Sequence, residues 1–149
     1  MTPVLIDTNI LVYTFDQNEP ARQDRAIQVL RALEESASGR LSVQCLAEFA
    51  AVVLRRLRPV MSSVDTMTQV ARFQQIFPVY SLTPMIVLEA LRGVQAYQLP
   101  YYDAQIWASA RLNQIPVIFS EDFNQGTLEG VRFVNPLAAD FDIEKWRRR

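Results

Sequence analysis

Short apolar segments alternate with longer segments in which apolar residues recur every three or four positions. The short segments PVLID, LSVQ, PVYSL, PVIFS and VRFVNP are of strand length. Between them, helical spacing appears in 20–36, 45–58, 64–77, 85–97 and 101–113, and a shorter helix is expected from TNILVYTFD. Strands that alternate with helices predict an α/β fold in which a parallel sheet carries helices on both faces.

Proline, glycine and small polar residues set the expected ends of these elements. Pro20 and the pair Thr83-Pro84 favour helix starts, and Pro59 is expected to end the helix that begins at Cys45. Gly39 is expected to close the helix of 20–36, and Gly93 to weaken the helix of 85–97. The charged C-terminal tail, residues 140–149, is expected to fray.

Length and composition favour one domain over residues 1–149. Half of the residues are hydrophobic, which is enough for a substantial core. No apolar run approaches the roughly 18–20 residues of a membrane span, and the N-terminus lacks the features of a signal peptide. A single cysteine, Cys45, lies among apolar neighbours and predicts a small buried side chain. These features predict a cytoplasmic protein without membrane contact.

Charge and histidine content restrict the chemistry. The formal net charge is −1 and the isoelectric point about 5.5, so the chain lacks the basic balance of many nucleic-acid-binding proteins. The chain has no histidine, which excludes histidine acid–base catalysis, histidine triads and histidine metal ligands. Any hydrolysis must therefore depend on carboxylates, metal ions and water.

Four acidic residues each stand in or directly after an apolar segment: Asp7, Glu48, Asp103 and Asp122. Clustered carboxylates commonly hold hard divalent cations such as Mg²⁺ and Mn²⁺. Each acid also has a simpler explanation. Asp7 and Asp103 could cap helices, Glu48 could lie on a narrow solvated stripe, and Asp122 could belong to a turn in which Glu121 is a competing candidate.

Several other α/β functions are excluded by missing motifs. The sequence has no G-x-G-x-x-G and no G-K-[ST], which argues against dinucleotide binding of the usual type and against a P-loop. A phospho-accepting receiver domain needs a lysine after a late strand, and the only lysine, Lys145, is in the tail. A G-x-S-x-G nucleophile elbow is also absent.

The four acidic segments, in this order, resemble PIN-domain ribonucleases, specifically the VapC-type toxins of toxin–antitoxin pairs. The resemblance rests on IDTNILVY, AEF, YYDAQIWASA, SEDFNQG and VRFVNP, and it covers nearly the whole chain. It implies a PIN-like fold in which Asp7, Glu48, Asp103 and Asp122 bind the metal, while Asn9 and Ser120 support the site.

The resemblance implies a Mg²⁺- or Mn²⁺-dependent endoribonuclease that acts on single-stranded or looped RNA such as tRNA, rRNA or mRNA. It also implies a homodimer and a VapB-type antitoxin partner. In the expected mechanism, one or two ions relieve carboxylate repulsion and activate water, leaving 5′-phosphate and 3′-hydroxyl ends. Two alternatives remain: a PIN-domain RNA-processing nuclease outside toxin–antitoxin systems, and a non-catalytic RNA-binding module.

Overall fold

The computed structural model describes residues 1–123 and 126–147. The described strands are β1 (Val4–Ile6), β2 (Gly39–Ser42), β3 (Val79–Tyr80), β4 (Val117–Phe119), β5 (Thr127–Leu128) and β6 (Val131–Val134). The described helices are α1 (Thr8–Tyr13), α2 (Pro20–Glu35), α3 (Val43–Arg55), α4 (Ser63–Ile76), α5 (Pro84–Tyr97), α6 (Tyr101–Leu112) and α7 (Glu144–Arg147). Within the described ranges, no helix is both long enough and apolar enough to cross a membrane.

The strands form one sheet in the order β3-β2-β1-β4-β6-β5. All neighbouring pairs are parallel except β5 and β6, which pair antiparallel. The predicted α/β fold with a parallel sheet between helices is therefore confirmed. The short β5 was not predicted, because two residues give no recognisable alternation of apolar and polar positions.

The centre of the sheet determines where the functional side chains meet. Every residue of β1 and β4 is buried, as their uniformly apolar sequences require. These two strands are parallel neighbours, with Ile6 opposite Phe119. Their carboxyl ends therefore lie side by side, and the next residues, Asp7 and Ser120, leave the sheet at the same edge.

Both predicted boundaries of α3 were wrong. Val43 and Gln44, expected in a strand, form the first turn of α3, because the Ser42 side chain caps that helix by accepting a hydrogen bond from Cys45 N. The helix also ends at Arg55, before the predicted stop at Pro59.

Gly39 does not close α2 as predicted but begins β2. That helix ends at Glu35, and Ala37 beyond it adopts a left-handed conformation with a φ of 55°. A Cβ atom on Gly39 would lie 2.5 Å from the Phe77 ring, so this position is kept small by packing.

The prediction that the C-terminal tail frays was wrong for the residues up to Arg147. Residues 144–147 form α7, and Trp146 packs edge-on against Phe119 with 4.8 Å between ring centroids. Phe141 contacts the same Phe119 ring at 5.5 Å. These aromatic contacts bury apolar surface that the charge pattern of the segment does not reveal. Residues 148 and 149 lie outside the described part of the chain.

Gly93 is a close-packing position between α5 and α6, and we predict that Gly93→Ala destabilises the protein. An added Cβ would lie 2.7 Å from the fully buried Trp107 ring. Alanine gains about 1 kcal/mol in helix propensity, but overpacking a core costs about 1–3 kcal/mol. We expect a net loss of roughly 1 kcal/mol in urea unfolding. The exposed Gln95→Ala in the same helix is the control, and a stabilised Gly93→Ala would contradict the packing argument.

Candidate functional site

Ser120 connects three of the polar side chains that the sequence singled out. Its hydroxyl donates to Asp7 Oδ2 at 2.7 Å and accepts from the backbone N–H of Asp122 at 3.1 Å. Asn9 Nδ2 donates to Ser120 Oγ at 3.3 Å and to Asp122 Oδ2 at 2.9 Å. Asp7, Asn9, Ser120 and Asp122 therefore form one hydrogen-bonded group where β1 and β4 end.

Asp7 is both a helix cap and a member of this group. Its Oδ1 accepts from the backbone N–H of Thr8 at 2.7 Å and caps α1, as its simpler explanation proposed. Its Oδ2 is left for Ser120. The residue is 5% exposed, so a charged carboxylate here is largely removed from water.

Glu48 projects from α3 toward the same region. Its Oε1 accepts from Gln44 Nε2 at 2.6 Å, and its Oε2 receives a longer bond of 3.4 Å from Thr8 Oγ1. Gln44 and Thr8 were not singled out from the sequence. The i,i+4 spacing of Gln44 and Glu48 could have indicated their contact, but only if Gln44 had been assigned to the helix.

Asp103 lies in the first turn of α6 and does not cap that helix, because Pro100 occupies the N-cap position. Burial raises the pKa of its carboxyl, and the charges of Asp122 and Glu48 raise it further. The simpler explanation, that Asp103 is the helix cap, does not hold. Asp103 instead lies within electrostatic reach of two of the other acids.

The charges of the four acids act on one another in pairs: Asp7 with Glu48 and Asp122, and Asp103 with the same two acids. Burial raises the pKa of Asp7 to about 6, an effect opposed by the hydrogen bonds from Ser120 and Thr8 and reinforced by the charges of Glu48 and Asp122. Exposure increases from the buried Asp7, through the partly buried Glu48 and Asp103, to the exposed Asp122. Among residues 1–123 and 126–147, no arginine or lysine forms an ion pair with any of the four.

Glu121, the competing candidate, forms contacts outside this group. Its Oε1 accepts from the Tyr13 hydroxyl at 2.5 Å and its Oε2 from Arg22 Nε at 3.0 Å. Both oxygens of this carboxylate are therefore occupied, one by Tyr13 of α1 and the other by Arg22 of α2. Asp122 is the acid of this pair that joins Asn9 and Ser120.

The donor atoms near these acids are of the type that a hard divalent cation prefers. The side chains offer oxygen ligands, and their mutual repulsion is relieved by a cation. The Asn9 Oδ1 atom is buried and has no hydrogen-bond partner in the described structure, which leaves one further acceptor beside the acids. Within the described residues, no three or more acidic, thiol or imidazole side chains are grouped so that they could hold a metal ion directly. A cation bound at these acids would therefore need water or a movement of the side chains to complete its coordination.

We predict that Asp7 makes the metal-free protein less stable as pH rises from about 4 to about 6. Its pKa is 3.8 unfolded and about 6 folded, so within this window only the folded state keeps the proton. Each pKa unit corresponds to about 1.4 kcal/mol, so the contribution approaches roughly 3 kcal/mol. Denaturant unfolding in EDTA should show wild type losing stability relative to Asp7→Asn across the window. Parallel profiles would contradict the raised pKa.

Comparison with known proteins establishes the family. The PIN domain matches residues 4–130, and the chain belongs to the PIN domain family. Comparison with curated proteins gave no significant match.

Three solved structures share the fold. Mycobacterium tuberculosis VapC20, described as a sarcin–ricin loop cleaving toxin, is 18% identical, with a TM-score of 0.64 over 87% of this chain and 98% of its own. A toxin–antitoxin complex from Klebsiella pneumoniae is 21% identical, with a TM-score of 0.65 over 89% of this chain and 97% of its own. DNA-bound VapBC from Salmonella typhimurium is 16% identical, with a TM-score of 0.63 over 91% of this chain and 99% of its own.

Proposed function

We propose that this protein is a divalent-metal-dependent endoribonuclease toxin of the VapC type. The observation that carries the proposal is a set of four acids whose charges act on one another in a PIN-domain chain. Asp7 follows β1, Glu48 lies in α3, Asp103 lies in α6 and Asp122 follows β4. Their charges are not balanced by an arginine or lysine within the described residues. Such an arrangement suits a divalent cation and a phosphodiester substrate.

In this proposal the chain's own residues hold and orient the reacting groups. Asp7, Glu48, Asp103 and Asp122 hold Mg²⁺ or Mn²⁺, in part through water, while Asn9 and Ser120 fix Asp7 and Asp122. When bound, the cation supplies charge neutralisation and lowers the pKa of the attacking water. Asp122 is exposed, and we expect the phosphate group of the substrate to approach from this side.

The proposed substrate is single-stranded or looped RNA. A loop can present a phosphodiester bond to an enzyme without a duplex having to be opened. VapC20 is itself described as cleaving the sarcin–ricin loop, which makes looped RNA the first class to assay. Because the chain has no histidine, we propose hydrolysis by water, which leaves 5′-phosphate and 3′-hydroxyl ends.

We also propose a VapB-type antitoxin partner, a homodimer and a single domain over residues 1–149. Two of the similar structures are toxin–antitoxin complexes. Exposed Met85, Leu88 and Leu91 on α5 provide apolar surface for association. Although β6 lies beyond the PIN match, it pairs with β4 in the same sheet, which supports the single domain.

Metal removal tests the proposed activity. EDTA should abolish RNA cleavage, and Mg²⁺ or Mn²⁺ should restore it. Ca²⁺ should bind yet support little turnover, because its larger and more variable coordination suits in-line attack poorly. Metal should also raise the melting temperature by binding the native state. Cleavage that persists after exhaustive chelation would contradict the proposal. Metal-dependent cleavage would exclude a non-catalytic RNA-binding module.

The gene neighbourhood separates the toxin from the RNA-processing alternative. A short antitoxin gene immediately upstream supports the toxin, whereas its absence, together with harmless expression, supports a processing nuclease. Mapping new RNA 5′ ends after brief expression of wild type and of Asp7→Asn would identify the cleavage site. Ends found only with wild type would belong to the proposed activity.

A further inference from the structure

A buried chain of side-chain hydrogen bonds runs from α6 to Glu48. The Tyr101 hydroxyl donates to Gln105 Oε1 at 2.8 Å, and Gln105 Nε2 donates to Gln44 Oε1 at 2.8 Å. Gln44 Nε2 then donates to Glu48 Oε1 at 2.6 Å. Gln44 and Gln105 are only 7% and 4% exposed, so these amides depend on protein partners.

The orientation of the Gln44 amide is fixed by a backbone carbonyl. Gln44 Nε2 also donates to Tyr102 O at 3.0 Å, so it has an acceptor for each of its two hydrogens. If the amide rotated by 180°, its oxygen would face both the Tyr102 carbonyl and the Glu48 carboxylate, which are acceptors. Gln105, which donates to Gln44 Oε1, opposes the same rotation. Gln44 therefore holds a donor toward Glu48.

This arrangement links two acids that belong to different helices. Glu48 is on α3, and Tyr102 immediately precedes Asp103 on α6. One amide thus bridges the Glu48 carboxylate and the backbone beside Asp103. With Oε1 held by Gln44, the Oε2 atom, which has only the 3.4 Å contact from Thr8 Oγ1 in the described structure, is the less constrained oxygen.

We propose that Gln44 is a positioning residue that sets Glu48 relative to Asp103 for cation binding, and that Gln105 and Tyr101 hold Gln44 in place. The inference rests on the proposed metal-dependent function. Side chains that orient metal ligands typically contribute 10- to 100-fold to metal affinity. Gln44 touches neither RNA nor the reacting atoms in this proposal.

The test uses Gln44→Met, Gln105→Met and the double variant. Methionine has nearly the length of glutamine and is apolar, so it replaces the amide with little change in volume. Gln44→Met leaves Gln105 Nε2 buried without its acceptor, which costs stability. The double variant removes both members of the Gln44–Gln105 bond and should regain part of that stability, since replacing both by apolar groups is often nearly neutral. The recovery is partial because the partly buried Tyr101 hydroxyl loses its acceptor on Gln105. Restored stability does not restore the donor to Glu48.

The variants should therefore differ in stability while sharing the same loss of metal affinity. Calorimetric Mn²⁺ titration without RNA should show about 10- to 100-fold weaker binding for Gln44→Met and equally weak binding for the double variant. Unfolding in EDTA should show the double variant to be more stable than Gln44→Met. In cleavage assays, both variants should need more Mn²⁺ for half-maximal rate and approach the wild-type rate at saturating Mn²⁺.

Gln23→Met is the matched control. Gln23 also donates its amide to a backbone carbonyl, Thr14 O at 3.3 Å, but it contacts none of the four acids. We expect wild-type Mn²⁺ affinity for this variant. If Gln44→Met fails to fold, the double variant, which leaves no Gln105 amide without its acceptor, still measures the effect of losing the Gln44 donor.

Three outcomes are distinguishable. Weaker Mn²⁺ binding that persists in the restabilised double variant supports the inference. Wild-type affinity in Gln44→Met or in the double variant, beside a normally binding wild type, overturns the inference and leaves the proposed nuclease intact. A wild-type protein that neither binds Mn²⁺ nor cleaves RNA overturns both.

Discussion

Asp7→Asn is expected to abolish RNA cleavage while leaving the protein folded. Asp7 is the most buried of the four acids and is held by both Thr8 and Ser120. Neutralising it removes one charged ligand from the proposed cation site. Changes to residues that merely orient metal ligands already cost about 10- to 100-fold, so loss of a ligand should cost at least roughly 100-fold. Gel assays of RNA cleavage under saturating Mn²⁺ measure this loss.

The same substitution should leave the metal-free protein as stable or more stable. Asparagine retains an oxygen that can cap α1 through Thr8 N, and asparagine and aspartate are about equally good caps. It also removes a buried carboxylate whose pKa is raised to about 6. The melting temperature in EDTA should therefore stay level or rise, whereas its increase on adding Mn²⁺ should shrink.

Glu121→Gln is the control for Asp7→Asn. Glu121 adjoins Asp122 in sequence, but its carboxylate is occupied by Tyr13 and Arg22. We expect near-wild-type cleavage and Mn²⁺ response from this variant. Wild-type cleavage by Asp7→Asn would remove Asp7 from the mechanism, whatever the behaviour of Glu121→Gln.

The sequence was sufficient to predict the sheet and its central strands. VLI and VIF are uniformly apolar because both of their faces are covered in a parallel sheet, and this makes them recognisable. The positions of Asp7 and Asp122 follow from these strands. The β5 strand has two residues and pairs antiparallel at the sheet edge, and no local pattern of that length is diagnostic.

What the sequence could not supply was the partner of each polar side chain. Glu121 and Asp122 are adjacent acids, and only the folded positions of Tyr13 and Arg22 separate their environments. Gln44 was assigned to a strand because it ends the short segment LSVQ, yet the Ser42 cap starts a helix at that point. Its contact with Gln105 spans 61 residues and has no local signature.

The tail shows the same limit. Its charged residues indicated solvent, but Trp146 and Phe141 pack on Phe119 from a segment with little other apolar content. A few aromatic residues can fix a short terminal helix, because each buries a large area. Charge pattern alone therefore underestimated how far the fold extends.

The second large effect is expected in cells: expression of this protein alone should arrest growth, and Asp103→Ala should relieve the arrest. An active endoribonuclease degrades the RNA of the cell that makes it. Asp103 adds negative charge beside Glu48 and Asp122, and within the described residues its carboxylate accepts no hydrogen bond. Alanine should therefore remove the charge with little damage to the fold. Growth curves after induction, with protein levels matched by immunoblot, measure the difference.

A small antitoxin should reverse the arrest and co-purify when the neighbouring gene is included. In the described residues the four acids have no arginine or lysine partner of their own, so an arginine of the antitoxin could pair bidentately with two of them and displace the cation. Binding should therefore weaken as Mn²⁺ is raised, and Asp103→Ala should bind the antitoxin less tightly. Harmless high-level expression of an RNA-cleaving wild-type protein, with no partner recovered, would instead favour the RNA-processing nuclease.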